Sequence, residues 1–320
     1  MDFSLLLSNL TNPTLLFFLL GIVAYLVKSD LEIPPTTIKF ISLYLLFAIG
    51  FKGGQELAHE HLNAQFTSEL LFGMAIASAI PLYAFFLLKN KLGVQNAGAI
   101  AAAYGSVSAV TFVAASGFLE AKEMPFSGHM VAIMALMESP AIIVGMVLLM
   151  RYDKESTERP SLGHMLKHSF TNGSVLMLIG SLVIGLVADS KQAEGIRPFT
   201  TDIFKGFLAV FLLEMGMVTA ARFGAFRKYG LFVSAMAVLI PLLNGCMVAW
   251  LSGFITPGIG DRFMFATLAA SASYIAVPAA MRLAAPKADP GLYIPMALGV
   301  TFPLNITLGM PLYMAIVEAV

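Results

Sequence analysis

The sequence predicts an all-α polytopic membrane protein, and its composition and the spacing of its apolar runs carry that prediction. Of the 320 residues, 58% are hydrophobic and only 12% are charged, whereas an ordinary soluble protein carries about 25% charged residues. The mean hydropathy is +0.83. A chain with so little charge cannot cover a soluble surface of this size, so lipid is its expected solvent.

Ten apolar runs are long enough to cross a bilayer, because a helix spans the hydrocarbon core in about 20 residues. The predicted spans lie between Pro, Gly and charged clusters at 13–27, 35–54, 67–88, 94–117, 127–150, 170–188, 199–221, 229–255, 262–283 and 291–317. The most polar stretch, 151–168, predicts a linker between a five-helix repeat at 1–150 and a second repeat at 169–320.

The basic residues predict the orientation of the chain. Thirteen of the 19 Lys and Arg residues fall in the odd-numbered loops, and six fall in the even-numbered loops. By the positive-inside rule the odd-numbered loops, including 151–168, are cytoplasmic, and both termini lie outside. The N-terminal segment lacks the basic region of a cleavable signal peptide, so we expect the first span to be retained.

Several function classes lack support in the sequence. The net charge of zero gives no indication of nucleic-acid binding, and the single cysteine, Cys246, excludes a disulfide framework. No Ser/His/Asp order, phosphate loop or intramembrane zinc motif is present, so we do not expect an enzyme or a tightly bound cofactor. His59-Glu60-His61 resembles a metal-binding pair, but its loop offers no further clear ligand.

A weak internal repeat relates the two halves. The tripeptide Ile-Pro-Leu at 80–82 recurs at 240–242, at an offset of 160, and Gly50 recurs as Gly216 at an offset of 166. An odd number of spans in each repeat inserts the second copy upside down, and such inverted repeats are common in secondary transporters. Ten helices without symmetry is the alternative.

Spans four and nine are predicted to be broken helices. Both are rich in Gly, Ala, Ser and Thr, and Pro278 removes a backbone donor from the ninth. Unwound backbone in a membrane must be buried in protein or line a cavity, and helix N-termini that meet there attract an anion. The alternative is a packed seam of small residues without a ligand. The predicted break and binding residues are Gly105, Ser106, Val107, Ser108, Thr111, Ser271, Ala272, Ser273 and Tyr274.

Two carboxylates fall inside predicted spans, where a charge costs about 2.5–3.5 kcal/mol at the bilayer centre. Glu138, in the fifth span, suits a sodium ligand or a titrating group, and Ser108 and Ser273 are the companion sodium ligands. A protonated carboxyl group within a helix interface is the alternative. Glu214 and Asn305 are further polar candidates.

The chain resembles the sodium-dependent bicarbonate permease family over nearly its whole length. The matching segments are 31–54, 104–115, 136–148, 213–222 and 271–299. This resemblance implies the fold of the sodium/proton antiporters and bile-acid symporters, with two inverted five-helix repeats, crossed discontinuous helices and a homotrimeric assembly. It also implies bicarbonate at the crossing of spans four and nine, sodium as coupling ion, and a bacterial cytoplasmic membrane.

Three positions differ from the photosynthetic members of that family. Those members carry aspartate in place of Glu138 and of Tyr274, and an apolar residue in place of Glu214. The 151–168 linker is also much shorter than theirs, which argues against docking of a PII-like regulator.

The leading hypothesis is therefore a secondary active symporter of bicarbonate or a similar small anion, driven by sodium. In that hypothesis a core of spans 3–5 and 8–10 moves against a scaffold of spans 1, 2, 6 and 7. A cation/proton antiporter or an organic-anion symporter on the same fold is the alternative, and a membrane sensor is a third class.

Overall fold

The computed structural model describes residues 13–59, 64–153, 173–226, 230–274 and 276–320, and within these ranges it contains helices and no strand. Glu60 and His61, and most of the 151–168 linker, lie outside the described residues. The helices are α1 (Pro13–Leu26), α2 (Pro35–His59), α3 (Ala64–Leu92), α4 (Val94–Gly105), α5 (Ala109–Ala121), α6 (His129–Tyr152), α7 (Gly173–Val187), α8 (Phe204–Phe226), α9 (Gly230–Leu251), α10 (Ile259–Ala270), α11 (Ala276–Ala284) and α12 (Pro290–Ala319).

Seven segments of the described chain are long and apolar enough to cross a membrane: Pro35–Ala58, Ala64–Leu92, Val94–Ala121, His129–Tyr152, Pro198–Ala221, Gly230–Phe254 and Pro290–Ala319. Predicted spans one and six correspond to the shorter apolar helices Leu16–Leu26 and Val175–Val187. Predicted span nine is not among the seven, and the structure divides it into α10 and α11. The all-helical membrane class is confirmed, and the count of ten spans stays a prediction.

Local sequence accounts for the beginnings of several helices. Proline occupies the first helical position of α2 and of α12, where its missing N–H has no intrahelical partner to lose. Gly93, with φ +78°, makes the sharp turn between α3 and α4. Asp289 accepts a hydrogen bond from the Gly291 N–H and caps α12.

The helices pack in four groups. α1 packs against α8, and α2 packs against α7. α3, α4 and α6 contact one another, and so do α9, α10 and α12. The last two groups meet where α5 contacts α10 and where α11 contacts α4 and α6. The interrupted helices are therefore placed at the junction of the two halves.

Glycines bring the helices of the first two pairs into backbone contact. A Cβ atom at Gly21 of α1 would lie 2.0 Å from the Leu213 carbonyl oxygen, and one at Gly216 of α8 would lie 2.1 Å from that of Phe18. In the other pair, Cβ atoms at Gly54 of α2 and Gly185 of α7 would lie 2.1 and 2.2 Å from backbone oxygens across the interface. Small residues allow this close approach of helices in a membrane.

Burial differs sharply between the helices. α4 and α5 are almost entirely buried, whereas α3 and α9 expose large apolar side chains such as Leu71 and Leu243. Apolar side chains of that kind suit contact with lipid. The broken helices are thus shielded by protein, which is the condition for irregular backbone at membrane depth.

Candidate functional site

Two helix interruptions form the centre of the candidate site, at the positions that the small-residue pattern predicts. α4 ends at Gly105 and α5 begins at Ala109, while α10 ends at Ala270 and α11 begins at Ala276. Ser106 leaves the helix with φ −79° and ψ 172°, and Ser271 does so with φ −79° and ψ 169°. The first residue of each break therefore has the same extended conformation.

The two breaks contact each other directly. The Ser108 N–H donates to Ser271 Oγ at 3.0 Å, and the Ser273 N–H donates to the carbonyl oxygen of Ala103 at 2.8 Å. The Ser271 hydroxyl in turn donates to the carbonyl oxygen of Leu268 at 2.7 Å. These bonds use backbone groups that the unwinding has left without helical partners. Each break therefore supplies hydrogen-bond partners to the other.

A serine caps the helix that follows each break. Ser108 Oγ accepts from the Thr111 N–H at 3.2 Å, and Ser273 Oγ accepts from the Val277 N–H at 3.3 Å. Serine is a preferred N-cap because its oxygen satisfies an amide that lacks an intrahelical partner. The capped ends of α5 and α11 carry the positive ends of the helix dipoles, so both positive ends lie at the crossing.

Gly105 brings α3 close to the first break. A Cβ atom at Gly105 would lie 2.1 Å from Cγ and 2.4 Å from Cδ of Pro81. Pro81 belongs to the Ile-Pro-Leu tripeptide that the sequence repeats in α9. Only glycine fits between the break and this proline ring.

Residues of α12 brace both interrupted helices. Asn305 is fully buried, and its Nδ2 donates to the carbonyl oxygen of Ala270, the last residue of α10, at 2.7 Å. The Tyr313 hydroxyl donates to Asn305 Oδ1 at 3.0 Å. On the other side, the hydroxyls of Tyr104 and Thr301 lie 2.7 Å apart. Asn305 is thus a support of the second break, a role that its sequence position alone does not reveal.

Three buried hydroxyls around the crossing complete no hydrogen bond with the described residues. They belong to Ser106 in the first break, Tyr274 in the second break and Thr267 one turn before the second break. The Tyr274 hydroxyl faces Ser108. A buried hydroxyl without a partner is costly, so these groups are the natural contacts of a polar ligand. Thr267 was not predicted, because a threonine within an apolar helix ordinarily bonds to its own backbone.

The other predicted site residues lie at different distances from the crossing. Val107 and Ala272 are buried within the breaks. Glu138 is partly buried in α6, the helix that contacts both α4 and α11. Glu214 lies on α8, and the charged neighbour that acts on it is Glu32, so it is associated with the α1–α8 pair.

A family model of the Na+-dependent bicarbonate transporter superfamily matches residues 13–318. The chain belongs to that superfamily. No curated protein matches it. The resemblance inferred from the segments around the two breaks is therefore confirmed at the level of the family, and the chain is a multi-pass membrane protein of a transporter family.

A cleft leads from the surface of this superfamily member toward α5. It is small and open, and it is lined by Ala48, Ile49, Lys52, Ser116, Glu120, Thr200, Thr201 and Phe204. The lining residue Glu120 pairs with Lys205, whose Nζ lies 3.4 Å from Glu120 Oε1. The cleft separates α2 and the start of α8 from the half-helix α5, which carries the cap of the first break.

Sequence reasoning missed one cluster in this superfamily member. Glu69, His129 and Asp261 lie near the N-terminal ends of α3, α6 and α10, and their side chains are buried together. They are 60 and 132 residues apart in the chain, and each alone resembles an ordinary polar residue at the start of a helix. No local pattern could have joined them.

Proposed function

We propose that this protein is a secondary active transporter that carries bicarbonate or a similar small anion together with sodium across a bacterial cytoplasmic membrane by alternating access. The observation that carries the proposal is the contact of the two helix breaks, with Ser108 bonded to Ser271 and Ser273 bonded to Ala103. The sodium and bicarbonate dependence of the superfamily supports it. No enzymatic reaction is part of the proposal.

The anion would bind between the capped N-termini of α5 and α11. The first N–H groups of a helix, such as those of Ala109 and Val110 in α5, have no hydrogen-bond acceptor within the helix and point toward the break. The unpartnered Ser106 and Tyr274 hydroxyls add two donors. Such a site binds an anion with neutral donors, and a small trigonal anion suits the space that short side chains leave.

The cation would bind at the ends of the other two half-helices, which precede the breaks. The C-termini of α4 and α10 present carbonyl oxygens and negative dipole ends, and Ser108 and Ser273 contribute hydroxyl oxygens. Glu138 from α6 supplies the one carboxylate of this set. Glu214, which neighbours Glu32, is outside it.

Alternating access requires one part of the molecule to move against another. The packing supports a core of α3–α6 and α9–α12 and a scaffold of α1, α2, α7 and α8, since the scaffold helices pair through glycines. Ten spans in two inverted repeats, with both termini outside, belong to the proposal. A homotrimer that meets through its scaffold also belongs to it. A PII-like regulator does not, because the linker is short.

Uptake of labelled bicarbonate into proteoliposomes tests the proposal. We expect uptake under an inward sodium gradient, little uptake when the gradient is collapsed, and competition by unlabelled bicarbonate. Uptake that follows a proton gradient and ignores sodium would instead indicate proton coupling. Uptake indifferent to both gradients and to unlabelled bicarbonate would refute the proposal.

The Glu138→Gln substitution tests the coupling site. It removes the carboxylate that the proposal assigns to the sodium site while keeping its size, so we expect sodium-dependent uptake to fall at least tenfold with the fold intact. The measurement is initial uptake rate against sodium concentration. Glu214→Gln is the matched control, and it should leave the sodium response unchanged because Glu214 lies on α8, which packs against α1. Equal effects of the two substitutions would remove Glu138 from the site.

A further inference from the structure

The buried Glu69, His129 and Asp261 cluster joins three helices away from the crossing. Each residue offers one ligand atom, and the three atoms lie within 4.8 Å of one another. Glu69 is fully buried, and His129 and Asp261 are 8% and 5% exposed. The residues lie in the first two turns of α3, α6 and α10, at the ends predicted to face the outside.

Donors from neighbouring segments fix both carboxylates. Asp261 accepts from the N–H and from the hydroxyl of Ser127, each at 2.7 Å. Glu69 accepts from Gln65 at 2.9 Å and contacts His129 Nε2. Hydrogen bonds of this kind around a carboxylate are the usual outer shell of a metal site, where they orient the ligands.

The three clustered side chains together carry more negative than positive charge. With a neutral imidazole the buried group carries two negative charges, and with a protonated imidazole it still carries one. Asp261 pairs with no lysine or arginine in the described part of the chain. The adjacent Arg262 is buried, and its Nε and Nη2 atoms have no partner there. A cation held directly by the two carboxylates and the imidazole would offset the cost of burying them.

We propose that Glu69, His129 and Asp261 bind a divalent transition-metal ion, with zinc as the best match. One imidazole nitrogen and two carboxylate oxygens are ligands of zinc and of related ions, whereas calcium and magnesium prefer oxygen alone. Ligand atoms around tetrahedral zinc lie about 3.3 Å apart, since each is about 2.0 Å from the metal. The three atoms, within 4.8 Å of one another, would draw closer around the ion, and water would complete its coordination.

The ion would tie together three helices that serve the crossing. α10 carries the second break at its far end, α6 carries Glu138, and α3 carries Pro81 against Gly105. A metal at their common end would hold these helices as one body. Its role would be structural, and it is distinct from the sodium proposed at the crossing.

Metal binding to the purified full chain tests the inference. The protein, with any affinity tag removed, is stripped with a chelator and titrated with zinc, cobalt or calcium. We expect about one equivalent of zinc by elemental analysis, a thermal midpoint raised by about 5 °C, and visible absorption from bound cobalt. Cobalt absorption is read on the unmutated chain, so the test does not depend on a variant that folds.

The Asp261→Asn substitution locates the ion, and Asp153→Asn at the other end of α6 is the matched control. We expect Asp261→Asn to lose the cobalt absorption and the thermal shift, and Asp153→Asn to retain both. No zinc or cobalt binding by the unmutated chain would leave an internal ion pair only and overturn the proposal. Stabilisation by calcium alone, or a full response in Asp261→Asn, would overturn it as well.

Discussion

The two helix breaks share one design but are held in place by different neighbours. Each begins with a serine in extended conformation, Ser106 or Ser271, and each continues to a serine that caps the next helix. The first break is wedged by Pro81 against Gly105, whereas the second is tied by Asn305 to α12. The two breaks have the same backbone conformation, but packing stabilises the first and hydrogen bonding stabilises the second.

The largest expected difference in mutational effect is at the last helical residue before each break, Gly105 in α4 and Ala270 in α10. Gly105→Ala would place a methyl group 2.1 Å from the Pro81 ring. We expect a loss of about 1–3 kcal/mol in the free energy of unfolding and little residual uptake, because the break must shift. Ala270→Gly, at the equivalent position of the second break, should cost under about 1 kcal/mol.

Thermal unfolding in detergent and bicarbonate uptake in proteoliposomes measure both variants. Gly180→Ala serves as a further control, because a Cβ atom at that position meets no neighbour within 4 Å. Equal losses for Gly105→Ala and Ala270→Gly would show that the two breaks are packed alike.

The next largest effect is expected from Ser271→Ala. This change removes the acceptor of the Ser108 N–H and leaves a buried donor unpaired. Such a donor costs about 1–3 kcal/mol, so the thermal midpoint and the uptake rate should both fall. Retained stability would mean that the crossing is held by the Ser273–Ala103 bond alone.

Ser106→Ala is the counterpart in the first break and should behave differently. Its hydroxyl bonds to no described residue, so its removal should leave the thermal midpoint unchanged. A hydrogen bond to a charged ligand contributes about 1.5–3 kcal/mol, and we therefore expect the KM for bicarbonate to rise about tenfold. A lower midpoint without a change in KM would assign Ser106 a structural role.

The smallest effect is expected from Tyr274→Phe. The ring keeps its edge contact with Phe302, at a centroid distance of 6.4 Å. Only the hydroxyl is lost, so we expect under about 1 kcal/mol in stability and a rise in KM smaller than that of Ser106→Ala. Concentration-dependent uptake measures it. A larger rise in KM for Tyr274→Phe would make the second break the main anion contact.

Sequence alone predicts the interruptions well and their supports poorly. The Gly-Ser-Val-Ser and Ser-Ala-Ser runs signal unwinding because small residues and a nearby proline weaken a helix locally. The bracing by Asn305 depends on where α12 passes α10, and no local pattern encodes that approach. Glu214 was a candidate because it is a carboxylate within a span, but the pairing of α1 with α8 brings it near Glu32.

The membrane spans also differ in how well the local sequence predicts them. Long uninterrupted runs such as α3 and α9 were predicted, because hydropathy is summed over neighbouring residues. Predicted span nine is not among the seven apolar segments, and the structure divides it into α10 and α11, each shorter than a membrane span. The position of such a helix depends on its contacts with other helices, and hydropathy carries no information about those contacts.

A hydroxyl group has only one hydrogen to donate, and Ser271 has already committed its own. That hydrogen is directed at the Leu268 carbonyl oxygen, while the oxygen accepts from the Ser108 N–H. Ser106, at the matching place in the other break, keeps its hydrogen uncommitted among the described residues. Two positions alike in backbone therefore differ in polarity, and the crossing is directional. Bicarbonate, with one hydroxyl and one negative charge shared by its other two oxygens, is itself unsymmetrical, so at the proposed site a directional crossing would give it a single preferred orientation.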